Sequence, residues 1–248
     1  MRTSNPALNA KTFEGIDYTA RKAEAMTIDG AINKTGILLL LVFGGAAWTW
    51  HLFMSSRGVA AVAPWMLAGL LGGFIIALIT IFKATVAPVT APIYAVLEGF
   101  FLGGLSAILE KAYPGIVIPA VGLTFGTMFC MLLIYRARII AVTDKFRAGI
   151  VAATGAVFVV YLTSLALGIF GVRVPYIHEG GAIGIGFSLV VIVIAALNLV
   201  LDFDFIERGA RAAAPKYMEW YGAFGLIVTL VWLYIEILRL LTKLRGRD

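Results

Sequence analysis

The sequence predicts an all-α, polytopic membrane protein with seven transmembrane helices, and three observations support this. Hydrophobic residues make up 61% of the 248 residues and charged residues only 14%, which is more apolar than a soluble domain usually is. The mean hydropathy is +0.95. The apolar residues also fall into runs of about 20, which is the length that a helix needs to cross a bilayer. They lack the short alternating segments of an outer-membrane barrel.

The predicted spans are separated by short connections that contain helix-ending residues such as Tyr113-Pro114-Gly115 and Val174-Pro175. No second domain fits between them. The first apolar run is too long for a signal-peptide core, so we expect it to remain as a helix. A polar N-terminal segment, 1–36, forms a short surface helix or stays disordered. The spans lie near 37–54, 64–83, 91–109, 115–135, 149–171, 181–203 and 220–241, giving a transmembrane domain over 37–241 and a basic tail over 242–248.

Lys and Arg residues predict the orientation, because positive charges in short loops favour the cytoplasmic side. They concentrate in the N-terminal segment and in the loops after spans four and six, so we expect a cytoplasmic N-terminus, in a bacterial inner membrane. The basic tail opposes this, and the last segment therefore either crosses or re-enters; we favour crossing. The net charge of +6 is mainly this loop bias, which indicates an anionic membrane surface as partner and not nucleic acid.

Other reactive residues give weaker signals. Cys130 is the single cysteine, and neither His51 nor His178 has a neighbour at metal-ligand spacing. Without a nucleophile–base pair or a metal cluster in the spans, we expect neither an enzyme nor a cofactor. Glycines four residues apart predict close packing of helices; they are Gly69 with Gly73, Gly99 with Gly103, and Gly122 with Gly126.

The end of span six carries the most informative acidic residues. A charge within a membrane helix is costly and usually faces a partner or a water-filled path. Asp202 follows Asn198 by four residues and shares its helix face, whereas Asp204 is rotated by roughly 200° from Asp202. We therefore expect Asp202 to face the bundle interior, and Asp204 to point to the interface and pair with Arg208.

Two further carboxylates lie within spans. Glu98 falls in the otherwise apolar third span, where it is either a protonated structural residue or part of a hydrated site. Glu236 precedes Arg239 by three residues, which predicts a salt bridge on the helix surface near the membrane boundary. Glu219, beside Trp220 and Tyr221, is expected to cap and anchor the last helix.

Three segments resemble the Bax inhibitor, or transmembrane BAX inhibitor motif (TMBIM), family. They are residues 202–206 (DFDFI), 91–104 (APIYAVLEGFFLGG) and 233–241 (LYIEILRLL). Residues 4–8 and 218–226 are similar to the branch common in bacteria. The resemblance covers nearly the whole chain.

The resemblance implies seven helices with the seventh at the centre, and a pH-dependent Ca²⁺ leak. In the family, an aspartate that ends the sixth helix shares a proton with one in the seventh, and this closes the path. Asp202 matches the first position, whereas Thr229 stands at the second. Asp204, Glu98 or Glu236 are the alternatives for the second carboxylate.

These observations lead to two functional hypotheses. The first is a leak for Ca²⁺ or another cation, gated by protons through Asp202, Asp204, Glu98 and Glu236, with Asp202 and Glu98 as Ca²⁺ ligands, because Ca²⁺ prefers several hard oxygen ligands. The second is a non-conducting membrane regulator that binds a membrane protease or another membrane protein, for which the N-terminal segment would matter most.

Overall fold

The computed structural model describes residues 25–171 and 181–246. It confirms the all-α, polytopic class, with helices long and apolar enough to cross a membrane. The described part of the chain contains seven of them: α1 (Ile28–Leu52), α2 (Gly58–Phe82), α3 (Ala87–Ala112), α4 (Val117–Arg136), α5 (Asp144–Ile169), α6 (Ala182–Arg211) and α7 (Met218–Arg245).

Several helices are longer than the apolar runs that predicted them. α1 begins at Ile28 and not near residue 37, because the Thr27 hydroxyl accepts a hydrogen bond from Gly30 N at 2.9 Å and caps the helix. α5 likewise begins at Asp144 behind Thr143, which accepts from Phe146 N. Hydropathy identifies only the apolar part of a helix that lies in the membrane. The prediction therefore did not include the polar first turns of α1 and α5.

The seventh helix lies at the centre of the bundle, as predicted. In the most apolar 18-residue stretch of α7, 56% of the residues are buried inside the protein. The corresponding fraction is 11% in α4 and 11% in α5. α7 packs against α6, α1, α3 and α4. Its start meets the start of α1, where Glu219 binds Thr27, and its end meets the α3–α4 connection, where Arg245 binds the Pro114 carbonyl. α7 therefore crosses the whole bundle and does not re-enter. We call the Thr27 side the near end and the Pro114 side the far end.

Glycines allow α1, α2 and α3 to approach each other closely. A Cβ atom on Gly99 would lie 2.4 Å from the Val42 carbonyl oxygen of α1, and one on Gly69 would lie 2.4 Å from the Leu97 carbonyl oxygen of α3. The predicted packing role is thus confirmed for these two pairs. It is wrong for Gly122 and Gly126, which have no atom within 4 Å of such a Cβ, because this face of α4 turns away from the bundle.

This difference predicts opposite effects of the same substitution. Gly99→Ala forces α1 and α3 apart and should lower stability by about 1–3 kcal/mol, the usual cost of overpacking. Gly122→Ala adds a methyl group in open space and should be neutral or slightly stabilising, since alanine favours helix. Thermal unfolding of the detergent-solubilised protein, followed by circular dichroism, measures both. Equal melting temperatures for the two variants would contradict the proposed packing.

Candidate functional site

Polar side chains of α5, α6 and α7 form groups at successive levels from the near end to the far end. On α5 these residues are spaced seven apart, which is close to two helical turns, so they share one face. We call the set the polar column. In order from the near end, it consists of Arg147 with Asp204, Asp202 with Thr229, Thr154 with Asn198, Tyr161 with Glu236 and Arg239, and Ser188 with Lys243.

Asp202 is the member of the column whose charge is least compensated. Its carboxyl group faces α7, where Oδ1 lies 3.9 Å from the position of a Cβ on Gly225. The Thr229 hydroxyl, which donates to the Gly225 carbonyl at 3.3 Å, is the polar side chain of α7 beside it. Its Oδ2 atom is buried and has no hydrogen-bond partner among the described residues. A buried carboxylate oxygen without a partner is costly, and this one is available to a proton or a cation.

Asp204 is neutralised by two arginines, in contrast to Asp202. Its Oδ2 lies 2.7 Å from Arg147 Nη2 and 2.8 Å from Arg208 Nε. The predicted pairing with Arg208 one turn away is therefore present. The opposite orientation of the two aspartates is also present, since Asp202 faces α7 and Asp204 faces α5.

Glu236 occupies the far half of the column. The Tyr161 hydroxyl donates to both carboxylate oxygens at 2.9 Å, and Arg239 Nη1 lies 3.3 Å from Oε1 while its guanidinium stacks 4.6 Å above the Tyr161 ring. The predicted pair with Arg239 exists. Its predicted place on the helix surface is wrong, because Glu236 is only 1% exposed. α7 is central, so most of its circumference is covered by other helices.

Beyond Glu236, toward the far end, the column carries a buried cation. The ammonium group of Lys243 donates to the Gly184 carbonyl and to Ser188 Oγ, both at 2.9 Å. Together with Arg239 it makes the far half of the column rich in positive charge.

Glu98 lies outside the polar column, between α2 and α3. Its Oε1 is 3.1 Å from the position of a Cβ on Gly73, and Tyr94 is its hydrogen-bonding neighbour. The Tyr94 ring in turn packs edge-on against Phe224 of α7 at 4.9 Å. Glu98 is thus linked to the central helix through an aromatic pair.

This arrangement bears on the predicted Ca²⁺ ligands and on the predicted second carboxylate. No group of three or more His, Cys, Asp or Glu side chains suited to a metal occurs within residues 25–171 and 181–246, and Asp202 and Glu98 lie in different helix interfaces. The predicted roles of Asp202 and Glu98 as Ca²⁺ ligands stay predictions, with the two carboxylates in separate places. Asp204, Glu98 and Glu236 each have other partners, and the choice among them as the second carboxylate also stays a prediction. Thr229 faces Asp202, as the resemblance implied. His178 lies outside the described residues.

The sequence assigned Glu219 only a capping and anchoring role and missed its partners in α1. Glu219 is fully buried and accepts hydrogen bonds from Thr27 N and Oγ1 at 2.9 Å, while Lys34 Nζ lies at 2.7 Å and Lys216 Nζ at 3.2 Å. A Cβ on Gly30 would collide with this carboxylate at 2.0 Å. Lys216 is visible as a local i, i+3 partner, but Thr27 and Lys34 are far away in sequence and give no such signal.

A second network at the near end was also missed. Glu207 binds Arg138 Nη2 at 2.7 Å and also contacts Tyr135 and Arg211. It ties the end of α4 to the end of α6. Only the Arg211 contact, four residues away on the same helix, follows a local rule.

Six spanning helices around a central seventh, with buried carboxylates beside it, define a polytopic helical membrane protein with polar side chains in its core. The sequence matches the family described as Bax inhibitor 1 like over residues 5–246, and the chain belongs to that family. No curated protein matches it. The resemblance seen in the sequence is thereby confirmed.

The Glu219 cluster makes a prediction for stability. Glu219→Gln removes the anion that Thr27 and Lys34 bind, and hydrogen bonds to a charged group are typically worth about 1.5–3 kcal/mol. The pair with Lys216, whose side chain is half exposed, adds little. Asp29→Asn, an exposed change in the first turn of α1, is the matched control and should cost well under 1 kcal/mol. Denaturant or thermal unfolding in detergent compares the two. A Glu219→Gln variant as stable as Asp29→Asn would show that the cluster does not hold α1 to α7.

Proposed function

We propose that the protein is a pH-sensitive cation leak for which Ca²⁺ is the ion, and that protonation of Asp202 controls it. The observation that carries the proposal is the buried Oδ2 atom of Asp202, which has no partner in a column where neighbouring charges are paired. Intramembrane acids of this kind mark ion and proton paths. Membership of the Bax inhibitor 1 like family supports the same reading. The proposed role is transport and not catalysis.

The proposed mechanism follows from the charge on one carboxylate. Ionised Asp202 presents hard oxygens to a cation, and the Thr229 hydroxyl, backbone carbonyls and water complete its coordination, since Ca²⁺ takes six to eight oxygen ligands. Protonation removes the charge and with it the attraction. Asp204 and Glu236 stay paired with arginines and shape the path on either side, and Glu98 is a second titrating group reached through Tyr94.

We also propose the orientation from charge. The near end carries most of the basic residues of the described loops and helix ends, among them Arg136, Arg138, Arg147, Arg208 and Arg211. By the positive-inside rule this end is cytoplasmic, in a bacterial inner membrane. Ca²⁺ entering from the far side then reaches Asp202 after passing Glu236.

The first test is Ca²⁺ flux into dye-loaded proteoliposomes at pH 6, 7 and 8. We expect wild-type flux to fall as the pH falls, because Asp202 becomes protonated, and Asp202→Asn to reduce flux at least tenfold at pH 8. Glu98→Gln should reduce it less. Asp29→Asn, exposed and outside the column, is the control and should leave flux unchanged. Undiminished flux through folded Asp202→Asn protein would overturn the proposal.

A second test places a carboxylate opposite Asp202. In Thr229→Asp two close carboxylates would titrate as a coupled pair, because like charges cannot both ionise easily at short distance. We expect flux with a pH dependence displaced toward higher pH relative to wild type. Thr229→Asn, similar in size to the aspartate and without charge, is the control. If flux through both variants has the same pH dependence, a carboxylate at position 229 does not interact with Asp202.

One observation favours a second candidate function. Glu236 balances Arg239, so the buried Lys243 gives the far half of the column a net positive charge. This charge opposes passage of Ca²⁺ and suits a non-conducting regulator of a membrane protease or another membrane protein. For this alternative, deletion of residues 2–24 should abolish the partner's in-cell crosslink while the melting temperature is unchanged. The deletion stops before Ala25 because Met26 and Thr27 are packed against the bundle. An unchanged crosslink, or robust flux, would reject the alternative.

A further inference from the structure

A cleft of about 340 Å³ enters the bundle on a face of α7 that the polar column does not use. Its walls come from α1, α3, α4 and α7, including Val42, Leu102, Val121 and Leu230. The volume is at the lower end of the range of about 300–1,000 Å³ found for small-ligand pockets. Well-packed proteins contain few voids larger than a water molecule, so this space needs an occupant.

The chemistry of the lining favours an apolar occupant over water or an ion. Its side-chain hydroxyls have partners within the protein: Ser106 Oγ and the Tyr234 hydroxyl bond each other at 2.7 Å, and Thr124 donates to the Ala120 carbonyl at 2.8 Å. Apart from the indole N–H of Trp50, the other lining side chains are apolar. A bound water needs two to four polar partners, and a lining this apolar is poorly suited to supply them.

The cleft opens sideways between α1 and α4. There the rings of Phe43 on α1 and Phe125 on α4 stack, with their centroids 6.0 Å apart. Phe43 is 48% exposed, and the neighbouring outward residues Leu40 and Leu123 are 72% and 50% exposed. Both helices span the membrane, so the medium at the opening is bilayer hydrocarbon.

We propose that the cleft binds one acyl chain of a bilayer phospholipid, inserted between α1 and α4 until it touches α7. A helix from a partner protein does not fit, because a helix is about 10–12 Å wide with its side chains and the Phe43–Phe125 contact narrows the entrance. A flexible acyl chain is thin, apolar and present at the opening.

The site contacts the central helix on the face opposite Asp202. Ile227 and Val231 lie two residues from Thr229 on either side, a rotation of about 200° around the helix, and both line the cleft. Phospholipid and cation path therefore use separate sides of α7. The acyl-chain site does not depend on whether the protein conducts ions.

Photocrosslinking tests this proposal. The full-length protein is reconstituted with a phosphatidylglycerol that carries a diazirine on one acyl chain, irradiated, and mapped by peptide mass spectrometry. We expect adducts at Ile227 or Leu230, which are 1% and 4% exposed and out of reach of bulk lipid. Adducts at exposed Leu40 and Leu123 report that the probe reacts with the protein's outer surface.

Two variants that fill the cleft complete the design. Val121→Trp and Ala47→Phe add bulk to opposite walls, and each should reduce the α7 adducts at least fivefold while the surface adducts remain. Leu123→Trp, on the outward face of the same helix, is the matched control and should leave the α7 adducts unchanged. The proposal is overturned if the wild type gives no α7 adducts. It is also overturned if a filled variant that keeps the wild-type melting temperature still gives α7 adducts.

Discussion

The structure depends on one constraint: a polar group inside a bilayer needs a partner, because hydrocarbon supplies none. Among α5, α6 and α7 this need is met by side chains and carbonyl groups of the same three helices. Asp204 has Arg147 and Arg208, Glu236 has Tyr161 and Arg239, and Lys243 has Ser188 and the Gly184 carbonyl. Against this background Asp202 is exceptional, since one of its oxygens is buried without a partner among the described residues. This exception is the ground for the role that we propose for Asp202.

Two modes of packing surround the central helix. On one side, α1, α2 and α3 come together through glycines such as Gly69 and Gly99 and bury no ion pair with one another among the described residues. On the other side, hydrogen bonds join α7 to Tyr161 of α5 and to Ser188 of α6, and an ion pair joins α5 to α6. α7 therefore has an apolar face and a polar face. This division separates a surface suited to lipid from one suited to protons and cations, within a single helix.

Local rules predicted part of the site correctly. The pair of Asp204 with Arg208 and that of Glu236 with Arg239 follow from spacings of four and three residues, which place side chains on one helix face. The same rules misjudged their surroundings. Glu236 is buried rather than on the surface, and Gly122 and Gly126 pack against nothing, although their spacing equals that of Gly99 and Gly103. Spacing fixes which residues share a face, but not what that face meets.

The sequence by itself determined the seven membrane helices, because crossing hydrocarbon requires apolar length, and that length is a local property of the chain. It also determined that Asp202 and Asp204 point to opposite sides. Only the tertiary structure decided which carboxylate remains without compensation. Arg147 reaches Asp204 across 57 residues, Tyr161 reaches Glu236 across 75, and Thr27 reaches Glu219 across 192. Such contacts depend on which helices become neighbours around α7, and no local pattern encodes that arrangement.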